Sequence, residues 1–185
     1  MREAAVSAGD MALEMMKAGQ ARHWHKEPGS PITEADLAVN RYIASALRSA
    51  RPGYGWLSEE TVDRRSDRAS DRVWVVDPID GTKAYIRAND PYWCVAIALV
   101  EHGHVIAGVL YAPELDMRFE ASLGGGAFLN GQQLSVSDCT DMPGCKMITN
   151  KAMLTHPAWP EPWPRVELAD PKPVSYTHLT LPTKA

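Results

Sequence analysis

Trp74-Val75-Val76-Asp77-Pro78-Ile79-Asp80-Gly81-Thr82 is the stretch on which the reading of the whole chain turns. Val73 to Val76 is a short apolar, largely β-branched run, which predicts a buried strand. Pro78 has no N–H to give to a ladder, so the strand is predicted to stop at Asp77. Asp80-Gly81-Thr82 then suits a turn that opens into the N-terminus of a helix. Asp77 and Asp80 would project from one strand-to-helix corner, beside helix N–H groups that can meet an anion. Carboxylates next to an anion cradle are how a protein holds hard cations and a phosphate together. The same letters also suit an acidic surface turn, because Asp-Pro and Asp-Gly are common turn formers, and the residues alone leave both readings open.

Working back towards the N-terminus, Tyr54-Gly55-Trp56-Leu57-Ser58-Glu59-Glu60 reads as a short apolar strand followed by paired glutamates. Residues 61 to 72, rich in Asp, Arg and Ser, read as an exposed, mobile loop. Thr33 and Asp36 have the spacing of a capping box ahead of an apolar-periodic run through Leu37, Ile43 and Leu47, and Arg51-Pro52-Gly53 closes that helix. Asp36 there favours the positive end of the helix. Residues 2 to 19 form an amphipathic pattern in Ala4, Ala8, Met11, Ala12, Met15 and Met16, with Gly19 as the stop and core packing as the role of the methionines. His23 and His25 form a His-x-His pair without further ligand-type residues nearby, which does not make a metal site.

Downstream, Trp93 to Val100 is a near-continuous apolar run suited to a buried strand. His102-Gly103 turns it into Val105–Tyr111, Ala112-Pro113 ends that strand, and Met117 to Ser122 alternates as a third. Gly124-Gly125-Gly126 lacks the Lys and helix of a phosphate loop and reads as a turn, before an Asn130-Gly131 hairpin signal. The prediction is an α+β fold: a mostly antiparallel sheet with helices packed on it.

Composition bounds the function. At 185 residues with 45% hydrophobic and 23% charged residues, the chain can bury one good core. Its formal net charge of −4 gives no basic surface for a nucleic acid polymer, so any phosphate binding is local. Cys94, Cys139 and Cys145 are odd in number and irregularly spaced, which predicts free thiols rather than a disulfide framework or a zinc site. With no apolar leader and no run of about 18 uncharged apolar residues, a soluble, cytoplasmic protein without a membrane partner is expected.

Trp74 to Thr82 also resembles the metal-binding motif of the inositol monophosphatase superfamily of Mg²⁺-dependent phosphomonoesterases, and the resemblance runs from about Glu3 to Asp138. It implies the layered αβαβα sugar-phosphatase fold. Ser58-Glu59-Glu60 is similar to the family's G-E-E motif, with Ser58 in place of Gly. The resemblance makes Glu59, Asp77, Asp80 and the Ile79 carbonyl the Mg²⁺ ligands, and Gly81 and Thr82 the phosphate-binding N–H groups. Thr82, assisted by Glu59 or Asp36, would orient the attacking water. The substrate implied is a small phosphate monoester, and family members are often homodimers. Asp80 to Lys83 (Asp-Gly-Thr-Lys) and Val109 to Pro113 resemble the 3′(2′),5′-bisphosphate nucleotidase branch, and histidinol-phosphate phosphatases share Asp-Gly-Thr-Lys.

The resemblance fades after Asn150. Residues 1–150 are expected to form the inositol monophosphatase-like part, and 151–173 a Pro/Trp-rich connection that includes Pro157 to Pro164. Residues 174–185 match what a transposase sequencing adapter encodes and are expected to be non-native. The family's later W-D-x-x-A-like motif, whose Asp is a further metal ligand, has no match: none of Trp24, Trp56, Trp74, Trp93, Trp159 and Trp163 precedes an Asp. The expectation is a chain lacking the C-terminal part of the fold, and the alternative to catalysis is an inactive fragment.

Overall fold

A computed structural model describes residues 1–19, 22–25, 31–62, 70–136, 138, 140, 146–147 and 167–168. It divides the chain into two units, Met1–Leu134 and Ser135–Ala185. In the second, the short strands β10 (Lys146–Met147) and β11 (Glu167–Leu168) pair in parallel. The expected boundaries at 150 and 173, the Pro/Trp segment, the residues from 174 onward, Cys139 and Cys145 lie outside the described residues. So does most of the loop expected between 61 and 72, whose last residue, Arg72, instead opens a strand.

The first unit begins with helix α1 (Arg2–Lys17). Its buried stripe is Ala4, Ala5, Ala8 and Ala12, while Met11, Met15 and Met16 pack partly buried against the same core. Small side chains let the helix lie close to the sheet, closest at Gly9, where a Cβ would stand 2.5 Å from the Tyr111 ring. A short hairpin of β1 (His23–His25) and β2 (Pro31–Thr33) follows, with His23 and His25 exposed. Helix α2 (Glu34–Ala50) starts from the predicted capping box. Thr33 Oγ1 accepts from the Asp36 N–H at 3.2 Å, and Asp36 Oδ2 accepts the Thr33 N–H at 2.8 Å. Val39, Ile43 and Leu47 carry its buried face.

The remaining strands form one seven-stranded sheet in the order β3–β9. These are β3 (Gly55–Ser58), β4 (Arg72–Asp80), β5 (Cys94–Glu101), β6 (His104–Ala112), β7 (Met117–Ser122), β8 (Gly126–Leu129) and β9 (Gln132–Gln133). Only β3 and β4 are parallel; every other neighbouring pair is antiparallel. The two tight hairpins turn at His102-Gly103 and Asn130-Gly131, each with positive φ at both residues (49° and 83°), which matches the right-handed twist of the flanking strands. A short helix α3 (Thr82–Arg87) connects β4 to β5. Beneath it Trp93 is fully buried, edge-on to Tyr85 at 5.0 Å between ring centroids.

One expectation about the central stretch is corrected. Strand β4 does not stop at Asp77 but runs through Pro78 to Asp80. Asp77 pairs with Ala96 and Asp80 with Cys94, so three steps on β4 oppose two on β5. The extra residue makes a bulge, and a bulge is where a proline without an N–H costs no ladder bond. Among the described residues, no helix is long and apolar enough to cross a membrane.

Candidate active site

The parallel pairing of β3 and β4 assembles the acidic corner. Ser58 lies opposite Val76, so the residues just beyond, Glu59 and Asp77, emerge at the same end of the sheet. The Glu59 N–H donates to the Val76 carbonyl at 3.2 Å and ties the two strand ends together. The bulge does the rest. Residues three apart on a regular strand face opposite sides, and one inserted residue restores the parity. Asp77 and Asp80 therefore share the face of their partners Ala96 and Cys94.

The electrostatics of this corner are those of crowded like charges. Burial pushes the Asp77 carboxyl up to about 8, aided by the Glu59 and Asp80 charges, a side-chain hydrogen bond with Glu59, and the Asp36 charge. Asp77 Oδ1 is buried with no hydrogen-bond partner. Asp80 is also raised, by burial and then by Glu59. The Cys94 thiol, 3.9 Å from Asp80 Oδ2, and the Gly81 N–H work in the opposite direction. Asp36 is 1% exposed and is held by Thr33, whose Oγ1 donates to Asp36 Oδ2 at 2.5 Å. The Asp36 charge also contributes to raising the Tyr85 phenol, after burial.

At the start of α3, Gly81 adopts φ 89°, and a Cβ there would lie 2.8 Å from the Tyr92 carbonyl oxygen, so the corner requires glycine. The Thr82 hydroxyl donates to the Ile79 carbonyl at 3.1 Å. The Ala84 N–H already donates to the Gly81 carbonyl at 2.8 Å, so the first-turn N–H groups that stand ahead of the helix ladder are those of Thr82 and Lys83. Glu59, Asp77, Ile79, Asp80, Gly81 and Thr82 thus lie around one corner, with Asp36 buried behind it and acting on Asp77 through its charge.

A sequence model of the inositol monophosphatase family matches residues 1–173. The chain belongs to this family. It is 39% identical over 112 residues to an inositol-1-monophosphatase of Mesorhizobium japonicum, covering 60% of this chain and 41% of that protein. It is 41% identical over 118 residues to a histidinol-phosphatase of Mycobacterium tuberculosis, covering 61% and 44%. Among solved structures, the extragenic suppressor protein suhB of Bartonella henselae superposes with a TM-score of 0.71 at 30% identity, over 82% of this chain and 60% of that one. The chain spans about half the length of the curated relatives it matches.

The donor set of this family member suits a hard divalent cation in kind. Its side chains at the corner are carboxylates, one of them with an unpartnered buried oxygen. Among the described residues, no group of three or more His, Cys, Asp or Glu side chains is by itself placed to hold a metal ion.

Three features of the corner lie beyond the motif. Cys94 reaches Asp80 because the bulge aligns them, a contact that depends on register. Tyr85 anchors α3 to α1 by donating from its hydroxyl to the Ala12 carbonyl at 2.9 Å. Asn40, one helical turn after Asp36, bonds the turn that carries Glu59. The i, i+4 spacing of Asp36 and Asn40 was the one sequence signal for it.

Proposed function

We propose that the protein hydrolyses a small phosphate monoester with Mg²⁺ held at the Glu59, Asp77 and Asp80 corner. The observation that carries this reading is Asp77, a buried carboxyl among like charges with an oxygen that no protein group partners. A cation relieves that crowding more completely than a proton does. Glu59, Asp77, Asp80 and the Ile79 carbonyl would hold two or three such ions, each on one or two carboxylates. Their chemistry there would be to offset the negative charge of the phosphate and to make water a better nucleophile.

The chain's own groups have defined tasks in this reading. The Thr82 hydroxyl spends its proton on the Ile79 carbonyl, which leaves its lone pairs to accept a hydrogen bond from a water and aim it at phosphorus. Glu59, exposed at the corner, would be the carboxylate that takes that water's proton, whereas Asp36 is buried behind the corner and acts through its charge on Asp77. Phosphate oxygens would sit at Gly81 and Thr82, where the short α3 begins, with the Gly81 N–H shared between phosphate and Asp80. Asp80 is held for its role by Cys94 and the Gly81 N–H.

The substrate class is small phosphate monoesters, because relatives of nearly equal similarity bear the names inositol-1-monophosphatase and histidinol-phosphatase. Asp-Gly-Thr-Lys at Asp80 to Lys83 keeps adenosine 3′,5′-bisphosphate in the same panel. The test is Mg²⁺-dependent phosphate release from inositol 1-phosphate, histidinol phosphate and adenosine 3′,5′-bisphosphate. Asp77→Asn is expected to lower turnover by about a hundredfold or more, the scale of losing several kcal/mol of charge stabilisation. Turnover that survives Asp77→Asn and still needs Mg²⁺ would sink the assignment.

A further inference from the structure

We infer that Asn40, Ser58 and Thr61 are positioning residues that clamp the turn bearing Glu59, an inference that rests on Glu59 being a cation-binding carboxylate. Glu59 is exposed at the end of β3, and a long flexible side chain holds an ion well only if its backbone is fixed. On one side the strand end is fixed by the Glu59 N–H to Val76 carbonyl bond. On the other, Ser58 Oγ donates to Asn40 Oδ1 at 2.7 Å and accepts the Glu60 N–H at 3.3 Å. Asn40 Nδ2 donates to Thr61 Oγ1 at 3.1 Å, and the Thr61 N–H donates to the Ser58 carbonyl at 3.2 Å. Trp56 Nε1 also reaches Thr61 Oγ1, at 3.4 Å. The residues on both sides of Glu59 are therefore tied to α2.

Asn40 and Ser58 are 8% and 4% exposed. Hydrogen bonds in such surroundings are stronger than at the surface, and a partner left without its bond is expensive. Asn40 follows Asp36 by four residues on the same face of α2, so one helix sets both the buried charge behind the corner and the turn in front of it. The clamp also gives a reason for Ser58 where the motif it resembles has Gly. A glycine could make neither of the two Oγ bonds.

The probe is Mn²⁺ binding to the 185-residue chain, followed by the electron paramagnetic resonance signal of the free ion. Ser58→Ala is expected to weaken binding about tenfold, in the range found when groups that orient a metal ligand are removed. Ser58→Thr, which keeps the hydroxyl, is expected to stay near wild type. The decisive comparison is Ser58→Ala made in a Glu59→Gln background, where a residue acting through Glu59 has nothing left to lose. No further loss there supports the clamp; a loss as large as in the wild-type background overturns it, as does Ser58→Ala binding like wild type. Should Ser58→Ala not fold, Thr61→Val at the exposed end of the network makes the same comparison, with the same expected and overturning outcomes. Mn²⁺ binding that is absent, or unaffected by Asp77→Asn, sinks the reading of the corner itself and the clamp with it.

Discussion

Without a cation, the acidic corner destabilises the fold that contains it, and the size of that effect can be worked from Asp77. Its carboxyl has an ordinary value of 3.8 and about 8 in the folded chain. A carboxyl raised by folding binds its proton more tightly in the native state. The stability it contributes is therefore fully present below pH 3.8 and is lost as pH rises towards 8. At pH 7 roughly 3 units of that interval have been crossed, at about 1.36 kcal/mol each, a cost of about 4 kcal/mol. Asp77→Asn removes this cost but leaves a buried amide whose Oδ1 has no partner, a penalty of about 1–3 kcal/mol. The net expectation in excess chelator at pH 7 is a gain of roughly 2 kcal/mol, or a melting point higher by about 5 °C for a chain of this size. The assay is thermal unfolding of both proteins in chelator from pH 4 to 8. The two terms are expected to balance near pH 5, with the variant less stable below it and its advantage growing above it, and adding Mg²⁺ at pH 8 is expected to stabilise wild type and not the variant. A difference that does not change with pH, or a variant less stable than wild type at pH 8, refutes the argument from crowded charge.

Two further substitutions test the frame of the corner. Gly81→Ala combines a φ of 89° with a Cβ 2.8 Å from the Tyr92 carbonyl oxygen, and is expected to cost about 2 kcal/mol in chemical denaturation; a neutral result would mean the turn is not built this way. Thr33→Val preserves bulk but removes the cap of α2 and the hydroxyl that donates to Asp36, an expected loss of about 1–2 kcal/mol, contradicted by an unchanged denaturation midpoint.

What was legible in the sequence is what is local. The Thr33–Asp36 box, the glycine stop after α1, the Asn130-Gly131 hairpin and the strands from Cys94 to Ser122 each depend on a few neighbouring residues. Nothing between Leu57 and Val75 says that β3 and β4 pair in parallel, because that register is decided by the core. Yet this pairing sets Glu59 beside Asp77. The Ser58 to Asn40 bond likewise spans 18 positions and two elements.

The misreading at Pro78 is the most informative, because it lies inside the motif itself. A missing N–H predicts the end of a strand, which is its usual consequence in a regular ladder. Here the ladder skips, the strand continues, and Pro78 is one of the two residues, with Ile79, that lie opposite the single residue Val95. If β4 were regular, Asp77 and Asp80 would point to opposite faces, and one of them would leave the corner. If it stopped at Asp77, Asp80 would be fixed by a loop and not by its pairing with Cys94. Asp-Pro-x-Asp on a bulged strand keeps both carboxylates on one face while the sheet still fixes their backbone. The same property that makes proline a poor strand residue lets it occupy the bulge without leaving an unpaired donor in the buried corner.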